Sequence, residues 1–133
     1  MTVETTNALK TRLASPYDEA VEKVTAALQE EGFGVLTEID VAATLKKKLD
    51  ADFRHYVILG ACNPHLAHQA LTTELEIGLL MPCNVIVYED GDGSVVSIAD
   101  PIAMVEMTGI AELAPIAEEA RTKLQRVIHA LAG

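Results

Sequence analysis

Residues 83–99, Cys-Asn-Val-Ile-Val-Tyr-Glu-Asp-Gly-Asp-Gly-Ser-Val-Val-Ser-Ile-Ala, decide the fold class of this chain. Two β-rich apolar runs, Cys83 to Tyr88 and Ser94 to Ala99, flank Asp90-Gly91-Asp92-Gly93. Aspartate tolerates tight turns and glycine supplies positive φ at no steric cost, so the segment reads as a β-hairpin. A hairpin forces at least one antiparallel pair into any sheet the chain builds.

Outward from the hairpin, helices and strands interleave. Leu9 to Leu13 reads as a first strand, and Ser15-Pro16 opens a helix, Ser15 as cap and Pro16 at the first helical position. Tyr17, Ala20, Val21, Val24 and Leu28 recur at helical spacing until Gly32 stops the run. Phe33 to Ile39 reads as a strand, and Asp40 caps a short helix that turns Val41, Leu45 and Leu49 toward the core. The near-continuous apolar run Phe53 to Ala61 predicts a central strand buried on both faces. Asn63-Pro64 repeats the cap-then-proline start signal, ahead of a helix burying Leu66, Ala67, Ala70 and Leu71. Pro101 to Met107 reads as a short helix, and Leu113 to Leu131 as a long amphipathic one, acidic early and basic late as its dipole prefers. The expected fold is therefore one α+β domain over residues 1–133. Its sheet is mixed or mainly antiparallel, with helices packed on one face.

At 133 residues the chain is long enough to bury a core without disulfide or metal staples. It is 50% hydrophobic and 23% charged, ordinary for a globular protein. A net charge of −10 repels phosphate backbones and anionic lipid, so no nucleic-acid and no membrane partner is expected. An aromatic content of 4% without tryptophan argues equally against a base-stacking platform. The basic run Lys46-Lys47-Lys48 reads as a solvated helix face. Met1-Thr2-Val3-Glu4 has none of the marks of a signal peptide, and the apolar run Ile77 to Tyr88, broken by Pro82 and Asn84, falls short of the roughly 20 residues of a membrane span. A cytoplasmic protein with reduced cysteines is expected.

The only two cysteines lie in Cys62-Asn63-Pro64 and Pro82-Cys83-Asn84. Cys62 stands one residue before a helix cap, where the unpaired N–H groups of a helix start favour a thiolate. The plainer reading is a small buried hydrophobe ending a core strand. Cys83 is too distant in sequence for a CxxC redox pair; disulfide or metal reach of Cys62 requires their strands to be neighbours, which spacing does not show. Asn63 reads first as a helix cap. Asn84, inside an apolar strand, reads as a buried amide in need of a partner: a loop, a second subunit or a ligand.

Other constellations offer less. His65 and His68 share the helix face opposite Leu66, Ala67, Ala70 and Leu71, which points them at solvent rather than at a metal. His55 reads as a packed strand histidine, and His129 as a helix-end one. An EF-hand register starting at Asp90 puts Val95 and Pro101 where glycine and glutamate are required, so the calcium reading fails. No phosphate-binding glycine loop, nucleophile elbow or HExxH occurs, and no metal site or cofactor is expected.

Several segments together carry a resemblance. They are Glu31-Gly32-Phe33-Gly34-Val35-Leu36-Thr37-Glu38-Ile39-Asp40, Thr44-Leu45-Lys46, Leu59-Gly60-Ala61-Cys62-Asn63-Pro64, Leu79-Leu80-Met81-Pro82-Cys83-Asn84-Val85 and Tyr88-Glu89-Asp90-Gly91-Asp92-Gly93. From about Tyr17 to Leu131 the chain resembles the domain-of-unknown-function 302 family of bacteria and archaea. The resemblance implies a small α+β protein that associates as a homodimer, with no assigned activity. His65 and His68 are not part of the family pattern. The expected function is then a small-ligand-binding module near Cys62, Asn63, Cys83 and Asn84. Two alternatives stand beside it: sulfur-transfer or redox chemistry at the two thiols, and a soft-metal site through both cysteines.

Overall fold

Val57, Leu59 and Ala61 alternate with Tyr56, Ile58, Gly60 and Cys62 along one strand, and this period of two divides a five-stranded sheet into a covered face and an open one. The computed structural model describes residues 8–132; the N-terminal Met1 to Glu4 read above lie outside them. The strands are β1 (Ala8–Leu13), β2 (Gly34–Asp40), β3 (Tyr56–Cys62), β4 (Cys83–Asp90) and β5 (Gly93–Ala99). They run in the order β1-β5-β4-β3-β2, every neighbouring pair antiparallel. The α-helices are α1 (Tyr17–Glu30), α2 (Val41–Leu49), α3 (Pro64–Thr73), α4 (Pro101–Glu106) and α5 (Ala114–Ala132), with 3₁₀ turns at Leu75–Leu80 and Ala111–Leu113.

The covered face carries the core. Val57, Leu59, Val85, Val87, Val96 and Ile98 meet Ala20, Val24 and Leu28 of α1 and Ala120, Leu124 and Val127 of α5, all with less than a tenth of their surface exposed. The hairpin is as read: Asp90 pairs with Gly93, leaving a two-residue loop in which Gly91 takes φ +62°. Gly32 ends α1 with φ +83°, and the N–H groups of Gly32 and Phe33 return to the Gln29 and Leu28 carbonyls, which is a Schellman closure. Asp40 caps α2 by accepting the Ala43 N–H at 2.9 Å.

Four expectations are corrected. Pro16 is itself the N-cap of α1, and Ser15 accepts from Lys23 Nζ at 2.7 Å instead of capping. The third strand begins at Tyr56, so Phe53, 52% exposed, and His55 precede it; His55 stacks on the Tyr17 ring at 5.2 Å. Nor is β3 buried on both faces, because Tyr56 and Ile58 on its open side are only half-buried. Helix α2 buries no residue, and Leu49 is 70% exposed. The remaining helix-end histidine, His129, is exposed in the last turn of α5. No described helix is long and apolar enough to cross a membrane.

Candidate functional site

The two Cys-Asn motifs meet at one end of the sheet, where β3 finishes and β4 begins. Cys83 is the register partner of Ala61, so Cys62 comes one residue later on the adjacent strand. Gly60 permits the junction: a Cβ there would stand 2.7 Å from Pro82 Cγ and closer still to Thr37 Oγ1. The proline ring, which follows a cis Met81–Pro82 bond, therefore packs straight onto the β3 backbone.

Both motifs open onto one cavity of about 230 Å³. It lies at the sheet end and is lined there by Ala61, Cys62 and Cys83, with residues of α3, the 3₁₀ turn Leu75–Leu80 and α4 and the small residues Ala117 and Ala120 of α5 completing it. The volume follows from composition, since alanines stand where longer side chains would fill the gap between the sheet end and three short helical segments. Leu79, on the 3₁₀ turn and in the cavity lining, is 84% exposed and gives that side an apolar edge.

The four residues singled out by sequence part company here. Asn63 is buried, and its Oδ1 accepts the Leu66 N–H at 3.2 Å while its Nδ2 donates at 3.5 Å to the Glu31 carbonyl. It ties the start of α3 to the end of α1 and packs against Gly32, where even a Cβ would come within 3.0 Å of its Nδ2. Asn84 is exposed, which corrects the expectation of a buried amide; it pairs with Gly60 on the open side of β4 and borders the cavity. Both cysteines are free and half-buried. Burial pushes the Cys83 thiol up from its ordinary pKa, and the neighbouring Cys62 pushes it in the same direction. Cys83 therefore rests as a thiol at neutral pH. His65 and His68 are both exposed on α3.

Helix α4 is held as a wall by Asp100, whose Oδ1 accepts the Ile102 N–H at 2.9 Å and whose Oδ2 accepts from Arg121 Nε at 2.9 Å. Met81 and Met104, which sequence reading passed over, line the same cavity. So was the charge around it: the chain has no Lys or Arg between Arg54 and Arg121. Glu76, Glu106, Glu112 and Glu118 are exposed, and each is next in the chain to a residue that lines the cavity. This asymmetry is legible in the sequence; Arg121, next in the chain to the lining residue Ala120, is the exception, and its charge is taken up by Asp100 at 2.9 Å. Among the described residues, no three or more His, Cys, Asp or Glu side chains are grouped to hold a metal ion.

Comparison with known proteins agrees with this architecture. None of the curated proteins matches the chain. A crystal structure of an uncharacterized conserved DUF302 protein from Bacillus stearothermophilus is similar throughout, with a TM-score of 0.88 at 27% identity over 96% of this chain and 99% of that one. The sequence profile of the domain of unknown function DUF302 matches residues 9–131. With that profile spanning nearly the whole chain and the Bacillus structure sharing the fold, this protein belongs to the DUF302 family.

Proposed function

We propose that this protein is a binding module for a small, largely apolar ligand taken up between α3, α4, α5 and the two Cys-Asn motifs. One observation carries the reading: both motifs line a single apolar cavity of about 230 Å³. An engineered cavity of about 150 Å³ accepts benzene, and drug-sized sites run roughly 300–1,000 Å³, so the ligand falls between those sizes. Its charge class follows from the stretch that supplies most of the lining: residues 55–120 are acidic and hold no Lys or Arg, which disfavours fatty acids, phosphates and other anions and favours a neutral or cationic molecule.

Ala67 lines the cavity from the half-buried side of α3, where a larger side chain intrudes on the cavity with little disturbance to the core. A neutral naphthylamine dye should bind saturably at one site per chain. Ala67→Leu should weaken it at least tenfold, about 1.4 kcal/mol, with an unchanged melting temperature. Dye binding that ignores this substitution would place the ligand elsewhere and end the reading.

A second reading starts from the two cysteines standing on adjacent strands, one register position apart. In a peroxide reaction the Cys62 thiolate attacks one peroxide oxygen, giving a sulfenic acid and water once a proton is taken up. Cys83 then attacks that sulfur, forming a disulfide and releasing a second water. The raised pKa of Cys83 suits it to resolve rather than to attack. Native alkylation followed against pH by mass spectrometry should label Cys62 first and Cys83 only at alkaline pH, and peroxide should abolish labelling of both. Two thiols that react only after unfolding would remove this chemistry.

We also infer that the chain works as a homodimer through the open face of the sheet. There Ile39 pairs with Ile58 and Ile58 with Ile86, beside the stacked rings of Tyr56 and Tyr88, 5.4 Å apart. Phe53 and Ile39, about half exposed, extend this apolar surface.

A further inference from the structure

The segments around the cavity are not equally secured. Phe33, Ala61 and Ala120 in its lining belong to the main core. Ala70, Ile77 and Leu113, also in the lining, form a separate and much smaller cluster. The cavity lies between the two, and Ile116 of α5 packs against both. Helix α3 is pinned at its start by Asn63, which accepts the Leu66 N–H and donates to the Glu31 carbonyl. Helix α4 is pinned by Asp100 and Arg121.

The 3₁₀ turn Leu75–Leu80 has no such tie. Among the described residues, every hydrogen bond of residues 74–81 is local. The Glu74 N–H goes to the Ala70 carbonyl, Ile77 to the Glu74 carbonyl, Met81 to the Gly78 carbonyl, and Glu76 to the Glu74 carboxylate. A 3₁₀ run of six residues exceeds the usual three or four, and its hydrogen bonds are poorly aligned. Ile77 is its one buried residue, and α3 is the one element on which it packs broadly. Segments with so few buried apolar contacts open locally, well below the free energy of global unfolding. This same turn lines the cavity with Ile77, Leu79 and Leu80.

We propose that Leu75–Leu80 is the gate of the cavity: it swings away to admit the ligand and closes with Leu79 packed onto it. The proposal rests on the cavity being a ligand site and adds how that site is entered and sealed. Leu79 distinguishes the bound state from the free one. In this structure it borders the cavity yet faces water, 84% exposed. Over an apolar ligand it loses that exposure, and only such a differential contact lets a ligand shift a conformational equilibrium. Gly78 supplies the freedom to open. It does not take positive φ, and a Cβ there would meet only Leu71 Cδ2 at 4.0 Å. Alanine therefore fits the closed turn while narrowing the open ensemble.

The test is amide hydrogen exchange of the full-length protein, read by mass spectrometry over residues 75–81 with and without the neutral naphthylamine dye, beside stopped-flow dye binding. Saturating dye should slow exchange there about tenfold. Leu79→Ala should raise the dye Kd by the same factor, about 1.4 kcal/mol, through faster release, because both measurements read the contact between Leu79 and the ligand. Its melting temperature should stay unchanged, since the side chain is exposed in the free protein. Gly78→Ala should slow exchange over 75–81 and dye association alike, by about 2–5-fold, the range by which such a substitution favours a compatible conformation. Dye binding that Ala67→Leu weakens but that leaves exchange at 75–81 unchanged overturns the proposal and keeps the cavity as a rigid site. Dye association that Gly78→Ala does not slow also overturns it. An absence of saturable binding, or binding that ignores Ala67→Leu, removes the cavity reading itself and the gate with it.

Discussion

Asn63 holds two backbone groups that no other side chain reaches: its Oδ1 takes the Leu66 N–H, and its Nδ2 meets the Glu31 carbonyl. Asn84 follows the other cysteine, yet its side chain stands on the exposed side of β4. Asn63→Ala should therefore destabilise the protein by about 1–2 kcal/mol, the cost of losing a helix cap in a buried setting. Asn63→Asp should recover much of that, because the acceptor survives. Asn84→Ala should stay within about 0.5 kcal/mol, as exposed substitutions do. Urea unfolding of the three variants checks the contrast, and equal losses at Asn63 and Asn84 would contradict it. The cap at Asn63 was readable because Asn-Pro is a local signal for a helix start. The exposure of Asn84 was not, because an apolar strand shows its alternation in sequence but never says which of its faces a helix covers.

Among the elements, α4 depends most on its neighbours. Six residues are too few for a helix to persist alone, and Pro101–Glu106 is held by the Asp100 cap, the Asp100–Arg121 ion pair and packing on α5. Asp100 is nearly buried, so Asp100→Ala leaves the Ile102 N–H without its cap and Arg121 without its partner. A loss of about 1–2 kcal/mol is expected, with faster amide exchange across 102–107 and weaker binding in the cavity that α4 walls. Unchanged exchange there would mean that the α5 contacts alone hold the helix. Asp100-Pro101 carries the same start signal as Asn63-Pro64, so this helix was legible; its partner Arg121 lies on another element and was not. Helix α2 shows the opposite case. Its spacing groups Val41, Leu45 and Leu49 on one face, but periodicity does not say what that face meets, and the structure leaves Leu49 in solvent.

At the scale of the whole molecule, the proposed dimer contact and the proposed ligand site fall on different parts of the fold, the open sheet face and the cavity end. Ile86 sits mid-strand on the open face, between Ile58 of β3 and Ser97 of β5. If that face joins two copies, Ile86→Glu should convert a dimer to a monomer in sedimentation velocity without unfolding it, because the substitution buries a carboxylate against apolar partners. An unaltered sedimentation coefficient would move the dimer contact elsewhere. The sequence by itself determined the order of elements, the hairpin, the α1 stop at Gly32 and two of the capped helix starts, since each depends on residues within a few positions of one another. Hydrophobic periodicity and the hairpin likewise indicated helices packed on one face of a mixed or mainly antiparallel sheet, and the structure makes every neighbouring pair antiparallel. Only the tertiary structure decided the strand order, the face on which each side chain falls, and the meeting of Cys62, Cys83, Met81 and Met104 around one cavity. Those depend on which strands become neighbours, a choice made by burial of the whole core and recorded in no short stretch of the chain.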